Sequence, residues 1–246
     1  MVKIGFNVLN MQLPNHGHTG AFGLTGSGKS FFSYALSMRQ NRQLIYLMNV
    51  GKDPTWTQNN WLINNISYPE KTGWNDEDKL KLILEYEEKN LNKKPIVIND
   101  IGRDFNSNLE YLWKFKMLNK NLSMLILADE GHRYQKSLEK FLIEGRKHNV
   151  SVVYTSIRPE TIKNVDITGN TPHIIIFATS DKMRVGLRKN YGINLPREVI
   201  EWTNDFKEKK LDIQYKFNSV FYNNISFYLL DKNFNVVKII NQSAIK

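Results

Sequence analysis

The chain has no cysteine among its 246 residues. A disulfide scaffold, a thiolate zinc site and a cysteine nucleophile are all excluded, although compartment is not decided by this. The chain is also short of acid. Its 24 Asp and Glu stand against 34 Lys and Arg, giving a formal net charge of +10 and a sequence pI near 9.5. A surplus of that sign attracts polyanions at long range, which makes nucleic acid the leading partner class; a basic protein with no nucleic-acid role is the alternative. No apolar run approaches the roughly 18 residues that a membrane span needs. Met1–Leu13 lack a basic start followed by a long apolar stretch, so no signal peptide is read there. Repeats, low-complexity tracts and interdomain linkers are missing too. One domain over residues 1–246 is expected, with a core at about 18–192 and an extension at about 215–246.

What the chain does have is Gly23-Leu24-Thr25-Gly26-Ser27-Gly28-Lys29-Ser30, a full match to the phosphate-loop pattern G-x-x-x-x-G-K-[ST], with Phe31 next in the following helix. Each fixed position has its own work on a nucleoside triphosphate with Mg²⁺. The glycines allow backbone angles that a Cβ forbids, so successive N–H groups can turn around the phosphates. The Lys29 ammonium reaches the outer phosphates, the Ser30 hydroxyl ligates Mg²⁺, and the positive end of the next helix faces the anion. The context fits: His18–Gly23 can serve as the strand feeding the loop. Lys29–Arg39 reads as a helix with Phe32, Ala35, Leu36 and Met38 toward a core.

Further along, strand and helix alternate. Strands are expected at Gln43–Met48, Pro95–Ile98, Leu122–Ala128, Val150–Thr155 and His173–Ala178. Trp56–Tyr68 reads as irregular, and helices are expected at Asp76–Lys89, Leu109–Leu118 and Ser137–Arg146. Val220–Leu230 and Asn235–Ile240 flank the turn signal Asp231-Lys232-Asn233 and suggest a terminal β-hairpin. The implied fold class is α/β: a mainly parallel P-loop NTPase sheet of the RecA-like, additional-strand type, with helices on both faces and a C-terminal β-hairpin. The apolar run Leu125-Ile126-Leu127-Ala128 ends in Asp129-Glu130, the form of a Walker B segment. Its strand is expected beside the loop-feeding strand, so that both acids emerge at the phosphate end of the sheet. Asp129 would then hold Mg²⁺ opposite Ser30, and Glu130 would orient the attacking water and take its proton. The acid pair suits an ATPase better than a GTPase or kinase.

Beyond the acids comes Phe141-Leu142-Ile143-Glu144-Gly145-Arg146-Lys147-His148-Asn149-Val150-Ser151-Val152-Val153-Tyr154-Thr155-Ser156-Ile157-Arg158-Pro159. This order resembles the FtsK/HerA superfamily of ring-forming, DNA-pumping ATPases, and within it the genome-packaging ATPases of membrane-containing icosahedral viruses. The resemblance covers about Gly20 to Gly192. It implies an ATP- and Mg²⁺-dependent double-stranded DNA translocase that pumps a viral genome into a preformed capsid. It also implies a homo-oligomeric ring, hexamer or pentamer, with capsid or vertex proteins as partners. The implied setting is the host cytoplasm, with virion association as a further expectation. The family's sensing Gln falls on Ser156 when Thr155 is matched to the family Thr, a substitution with shorter reach. The family also takes an arginine from the neighbouring subunit; Arg146 is the leading candidate, with Arg184 and Arg188 as competitors. Backbone-gripping DNA contacts are sought at Lys114, Lys116 and Lys120 beside Trp113 and Phe115, at Arg184, Arg188 and Lys189, and in the run Lys207, Lys209, Lys210. The aromatic pair also fits a core, and the lysine run a solvated face. His132 and His148 have no partner at metal-ligand spacing and read as structural. A nucleotide-dependent assembly or secretion ATPase not acting on DNA is the alternative function. A metabolic kinase is disfavoured by the acid pair and by the lack of an Arg-rich lid.

Overall fold

A computed structural model of the chain describes residues 7–10, 17–40, 42–49, 84, 96–100, 105–162, 165–205 and 218–241. Nine strands form one sheet in the order β3-β2-β4-β5-β1-β6-β7-β8-β9. Here β1 is Thr19–Phe22, β2 Leu44–Met48, β3 Ile96–Asp100, β4 Met124–Ala128 and β5 Val150–Ser156. They are followed by β6 His173–Ile176, β7 Ser219–Tyr222, β8 Ser226–Leu230 and β9 Val236–Asn241. Strands β1 to β6 run parallel, and β7, β8 and β9 extend the sheet antiparallel.

The central strands read as near-continuous apolar runs because both of their faces are covered. In β4, Met124, Ile126 and Ala128 enter the larger core, while Leu125 and Leu127 enter a second core on the opposite face. That alternation is the pleat. The larger core is closed by α2 (Phe105–Leu118), α3 (Gln135–Glu144), α4 (Val165–Gly169), α5 (Asp181–Tyr191) and α6 (Arg197–Asn204). The second core is closed by Phe32 and Leu36 of α1 (Lys29–Ser37), by Val8 and Leu9, and by Phe234 and Val236. The N-terminal segment is tied to the far end of the chain, since the Val8 N–H donates to Phe234 O at 3.0 Å.

Several expectations change. The acid-bearing strand β4 is not beside the loop-feeding strand β1; β5 lies between them. This is the additional-strand arrangement that the fold class implied, with the wholly buried β5 in the middle. The C-terminal extension is a three-stranded meander, because the expected strand Val220–Leu230 contains its own turn. Asn223 Oδ1 accepts the N–H groups of Ile225 and Ser226, and Asn224 is left-handed at φ 68°. Helices α4, α5 and α6 carry no counterpart in the sequence reading. Met38 is exposed, and Ser33 and Ser37 take buried places on α1 instead. Of the expected Asp76–Lys89 helix, Leu84 is helical and buried. The rest of that helix, the stretch Trp56–Tyr68 and the run Lys207, Lys209, Lys210 lie outside the described residues.

Candidate functional site

The loop between β1 and α1 is shaped by two left-handed glycines, Gly26 at φ 74° and Gly28 at φ 94°. An L side chain is strained at either position. Gly23 is required for a different reason: a Cβ there would lie 2.5 Å from Ser27 Oγ and 2.6 Å from the Phe177 Cβ. The loop is pinned to the sheet by Gly23 N–H donating to Ser156 O at 3.3 Å and Leu24 N–H donating to Ala178 O at 2.9 Å. Thr25 and Gly26 stand exposed at its tip. Lys29 is buried, and its Nζ donates to Gly23 O at 3.0 Å and Leu24 O at 2.8 Å. The ammonium is therefore folded back inside the cradle, where phosphate oxygens would replace those carbonyls. The buried Ser27 hydroxyl has no hydrogen-bond partner among the described residues and lies against Gly23. Phe31 stacks on Phe234 at 6.2 Å, so it joins the helix to the C-terminal turn.

The acid pair stands on the same edge of the sheet. Parallel register sets Phe22 level with Ser156 and Ala128 level with Tyr154. The loop and Asp129-Glu130 therefore leave the sheet at one level, separated by two inter-strand steps of about 4.8 Å each. Thr155 on the intervening strand ties them together. Its Oγ1 donates to Asp129 Oδ1 at 2.7 Å and accepts the Glu130 N–H at 3.0 Å. Glu130 is left-handed at φ 49°, and its carboxylate is ion-paired with Arg133 at 2.6 Å. Gly131 must be glycine, since a Cβ there would lie 2.8 Å from the Tyr154 Cβ. His132 is held below its ordinary pKa first by burial, then by the charges of Arg133 and Arg158, with Glu130 pulling the other way. Among the described residues, no cluster of three His, Cys, Asp or Glu could hold a metal by itself. One hydroxyl from Ser30 and one carboxylate from Asp129 fit the hard-oxygen, phosphate-assisted binding of Mg²⁺.

The remaining candidates are scattered. Ser156 is fully buried and its Oγ accepts the Arg158 N–H at 2.9 Å, so the hydroxyl shapes the turn after β5. Arg146 is exposed in a 3₁₀ turn just before β5. Its charge helps depress His18 and His173, which open β1 and β6. Arg146 therefore lies at the N-terminal edge of the parallel strands, the edge opposite the loop of its own subunit. Arg184 sits one turn into α5 on the loop side; it donates to Thr179 O at 3.3 Å and is ion-paired with Asp181. Arg188 is exposed a turn further along the same helix. Lys114 and Lys120 are exposed, but Lys116 is not. As a DNA contact Lys116 is overturned: it is fully buried, and its Nζ donates to Asn119 O at 3.1 Å and Lys120 O at 2.6 Å, closing the C-terminus of α2. Trp113 and Phe115 are core residues, with Trp113 edge-on to Phe141 at 5.1 Å and to His148 at 5.6 Å.

Two positions at the site were not assigned by sequence reasoning. Thr155 was visible only as the residue before Ser156. Arg158 was visible in the Arg158-Pro159 pair, and it lines a cleft of about 300 Å³ with Leu24, Thr25, Ile157, Glu160 and Lys182.

No protein-family model and no curated protein matches the chain. Solved structures do. The genome packaging NTPase B204 from Sulfolobus turreted icosahedral virus 2, in complex with AMPPCP, is 18% identical at a TM-score of 0.52, covering 92% of this chain and 97% of that one. B204, the DNA-packaging ATPase from Sulfolobus turreted icosahedral virus, is 17% identical at a TM-score of 0.50, covering 91% and 96%. VirB4 of Thermoanaerobacter pseudethanolicus is 9% identical at a TM-score of 0.57, covering 90% and 89%. At such identities the likeness is one of architecture. The loop after β1, the acid pair after β4 and the strand inserted between them give this chain a P-loop NTPase fold.

Proposed function

We propose that the chain is an ATP-hydrolysing motor acting on double-stranded DNA, of the kind that drives a viral genome into a preformed capsid. The observation that carries the reading is the Thr155 bridge. It fixes Asp129 and the Glu130 backbone on the strand adjoining the Gly23–Ser30 loop, so one triphosphate can meet both. The likeness to packaging ATPases supports the same reading.

In this mechanism Gly23–Phe31 embrace the phosphates through backbone N–H groups, and the Lys29 ammonium moves from the Gly23 and Leu24 carbonyls to the outer phosphate oxygens. Ser30 and Asp129 would hold Mg²⁺, which would supply positive charge to neutralise what develops on the phosphates during transfer. Glu130, released from Arg133, orients a water and accepts its proton. The water oxygen then forms a bond to the γ-phosphorus as the bond to the β–γ bridging oxygen breaks, leaving ADP and phosphate. Ser156 couples to the site through the turn it holds at Arg158.

Arg146 would serve a neighbour in a ring. The β1 strand alone separates it from its own loop by four residues, about 13 Å at 3.3 Å per residue. A head-to-tail ring in which the N-terminal edge of one subunit meets the phosphate edge of the next would deliver Arg146 there, whereas Arg184 and Arg188 lie along α5 near the loop side. Exposed Lys114 and Lys120 supply charge for the DNA backbone. No described helix is long and apolar enough to cross a membrane, and the proposed setting is the cytoplasm of an infected cell. Hydrolysis measured with and without duplex DNA tests the reading. Several-fold stimulation is expected; steady hydrolysis indifferent to DNA would turn the assignment to an assembly or secretion ATPase.

A further inference from the structure

We infer that Arg158 is a phosphate-contacting cation supplied by the same subunit, distinct from the arginine that a neighbour would lend. The inference rests on the triphosphate site proposed above and adds a residue that neither phosphate loop nor acid pair contains.

Its placement is the first argument. Arg158 follows directly on β5, the strand between the loop strand and the acid strand. On one flank it shares a cleft with Leu24 and Thr25, in the first half of the loop. On the other it is close enough for its charge to act on His132, two residues beyond Glu130. The outer end of a triphosphate seated in the loop would be the end nearest the acid pair, and Arg158 borders the span between Thr25 and His132 in which that end would lie.

The second argument is rigidity. The Arg158 N–H donates to Ser156 Oγ at 2.9 Å, and its carbonyl accepts from Thr161 N–H at 3.0 Å and Thr161 Oγ1 at 2.8 Å. Asn190 Nδ2 of α5 donates to Pro159 O at 2.9 Å. Gly186 lets α5 press on the same turn, for a Cβ there would lie 2.5 Å from the Glu160 nitrogen. A turn so restrained fixes the backbone from which the Arg158 side chain springs.

The third argument is charge. Four of the described cations on this edge are engaged, Arg133 with Glu130, Arg184 with Asp181, Lys182 with Glu160 at 3.6 Å, and Lys29 with loop carbonyls, while Arg188 stands a turn further along α5. The Arg158 guanidinium is exposed and has no ion pair among the described residues. Its planar fork suits two oxygens of a terminal phosphate, a contact that ATP offers and ADP does not.

The test uses the full chain with Arg158→Ala and Arg158→Lys. Affinities for ADP and for a non-hydrolysable ATP analogue are measured by equilibrium titration, alongside kcat and KM. Loss of one charge-assisted contact predicts a weakening of the analogue by roughly 10- to 100-fold in the Ala variant, with ADP affinity unchanged and partial rescue by Lys. Mixing Arg158→Ala with Glu130→Gln subunits should restore no hydrolysis, because each active site still lacks a residue of its own. Equal losses for ADP and analogue, wild-type affinity for both, or recovery on mixing would each overturn the inference while leaving the ATPase reading intact. A wild-type chain that binds neither nucleotide would overturn that reading instead.

Discussion

Thr155 serves two acids with one hydroxyl, and the cost of removing it is specific. Thr155→Val keeps the shape but leaves Asp129 one donor short and the Glu130 N–H unpaired. An orphaned buried group costs about 1–3 kcal/mol, so a stability loss of that size is expected in urea unfolding, with kcat falling more than ATP affinity. A variant of wild-type stability and kcat would remove Thr155 from the account. Lys116 gives the opposite lesson. Alternation with Trp113 and Phe115 reads as a nucleic-acid stripe or, more often, as a core edge, and sequence alone does not say where a long lysine stem ends. The structure buries it as a carbonyl cap. Lys116→Met is therefore expected to lower stability by about 1–2 kcal/mol while leaving duplex-DNA affinity unchanged. Weakened DNA binding at unchanged stability would restore the surface reading. The loop residues and the acid pair were legible because each position answers to one chemical demand; Arg158 was not, because its meaning depends on a cleft assembled from distant segments.

At the scale of elements, strands were read well where both faces are covered, since burial on two sides leaves only apolar residues to choose from. The run Val220–Leu230 misled for the same reason: Asn223 and Asn224 turn the chain inside an otherwise apolar stretch. The fold class implied an additional strand, but its place between β4 and β1 was not readable, because strand order is a matter of long-range pairing. The opening of β1 carries a pH dependence. His18 is fully buried, and its Nδ1 accepts the Val152 N–H at 3.0 Å. Burial first, and then the Arg146 charge, lower its pKa from 6.5 to about 4. The unfolded chain thus takes up a proton that the folded chain refuses. Stability from this group is full above pH 6.5 and declines as pH falls toward 4, by about 2 kcal/mol between pH 7 and pH 5. His173, lowered by the same two causes, acts in the same direction. Urea midpoints at the two pH values check this, with His18→Gln, which retains an acceptor for Val152, expected to flatten the profile. A His18→Gln profile as steep as wild type would contradict it.

For the whole molecule, the sheet has two edges with different work. One gathers the Gly23–Ser30 loop, Asp129, Glu130 and Arg158; the other carries His18, His173 and Arg146 at the strand starts. A subunit so built does not bring Arg146 to its own triphosphate, so in the proposed ring hydrolysis would wait for a correctly seated neighbour. The net charge of +10 favours a polyanionic track, yet charge does not select among tracks. Everything at this scale depends on the loop and the acid pair acting on one ligand. The most direct measurement is ATP binding and steady-state hydrolysis in the Glu130→Gln variant beside Lys29→Ala. Binding should survive in the Glu130 variant within about threefold while kcat falls by about 10²–10⁴, the usual contribution of a general base. Lys29→Ala should lose tight binding itself. Undiminished turnover by Glu130→Gln would show that the acids and the phosphate cradle do not share a substrate.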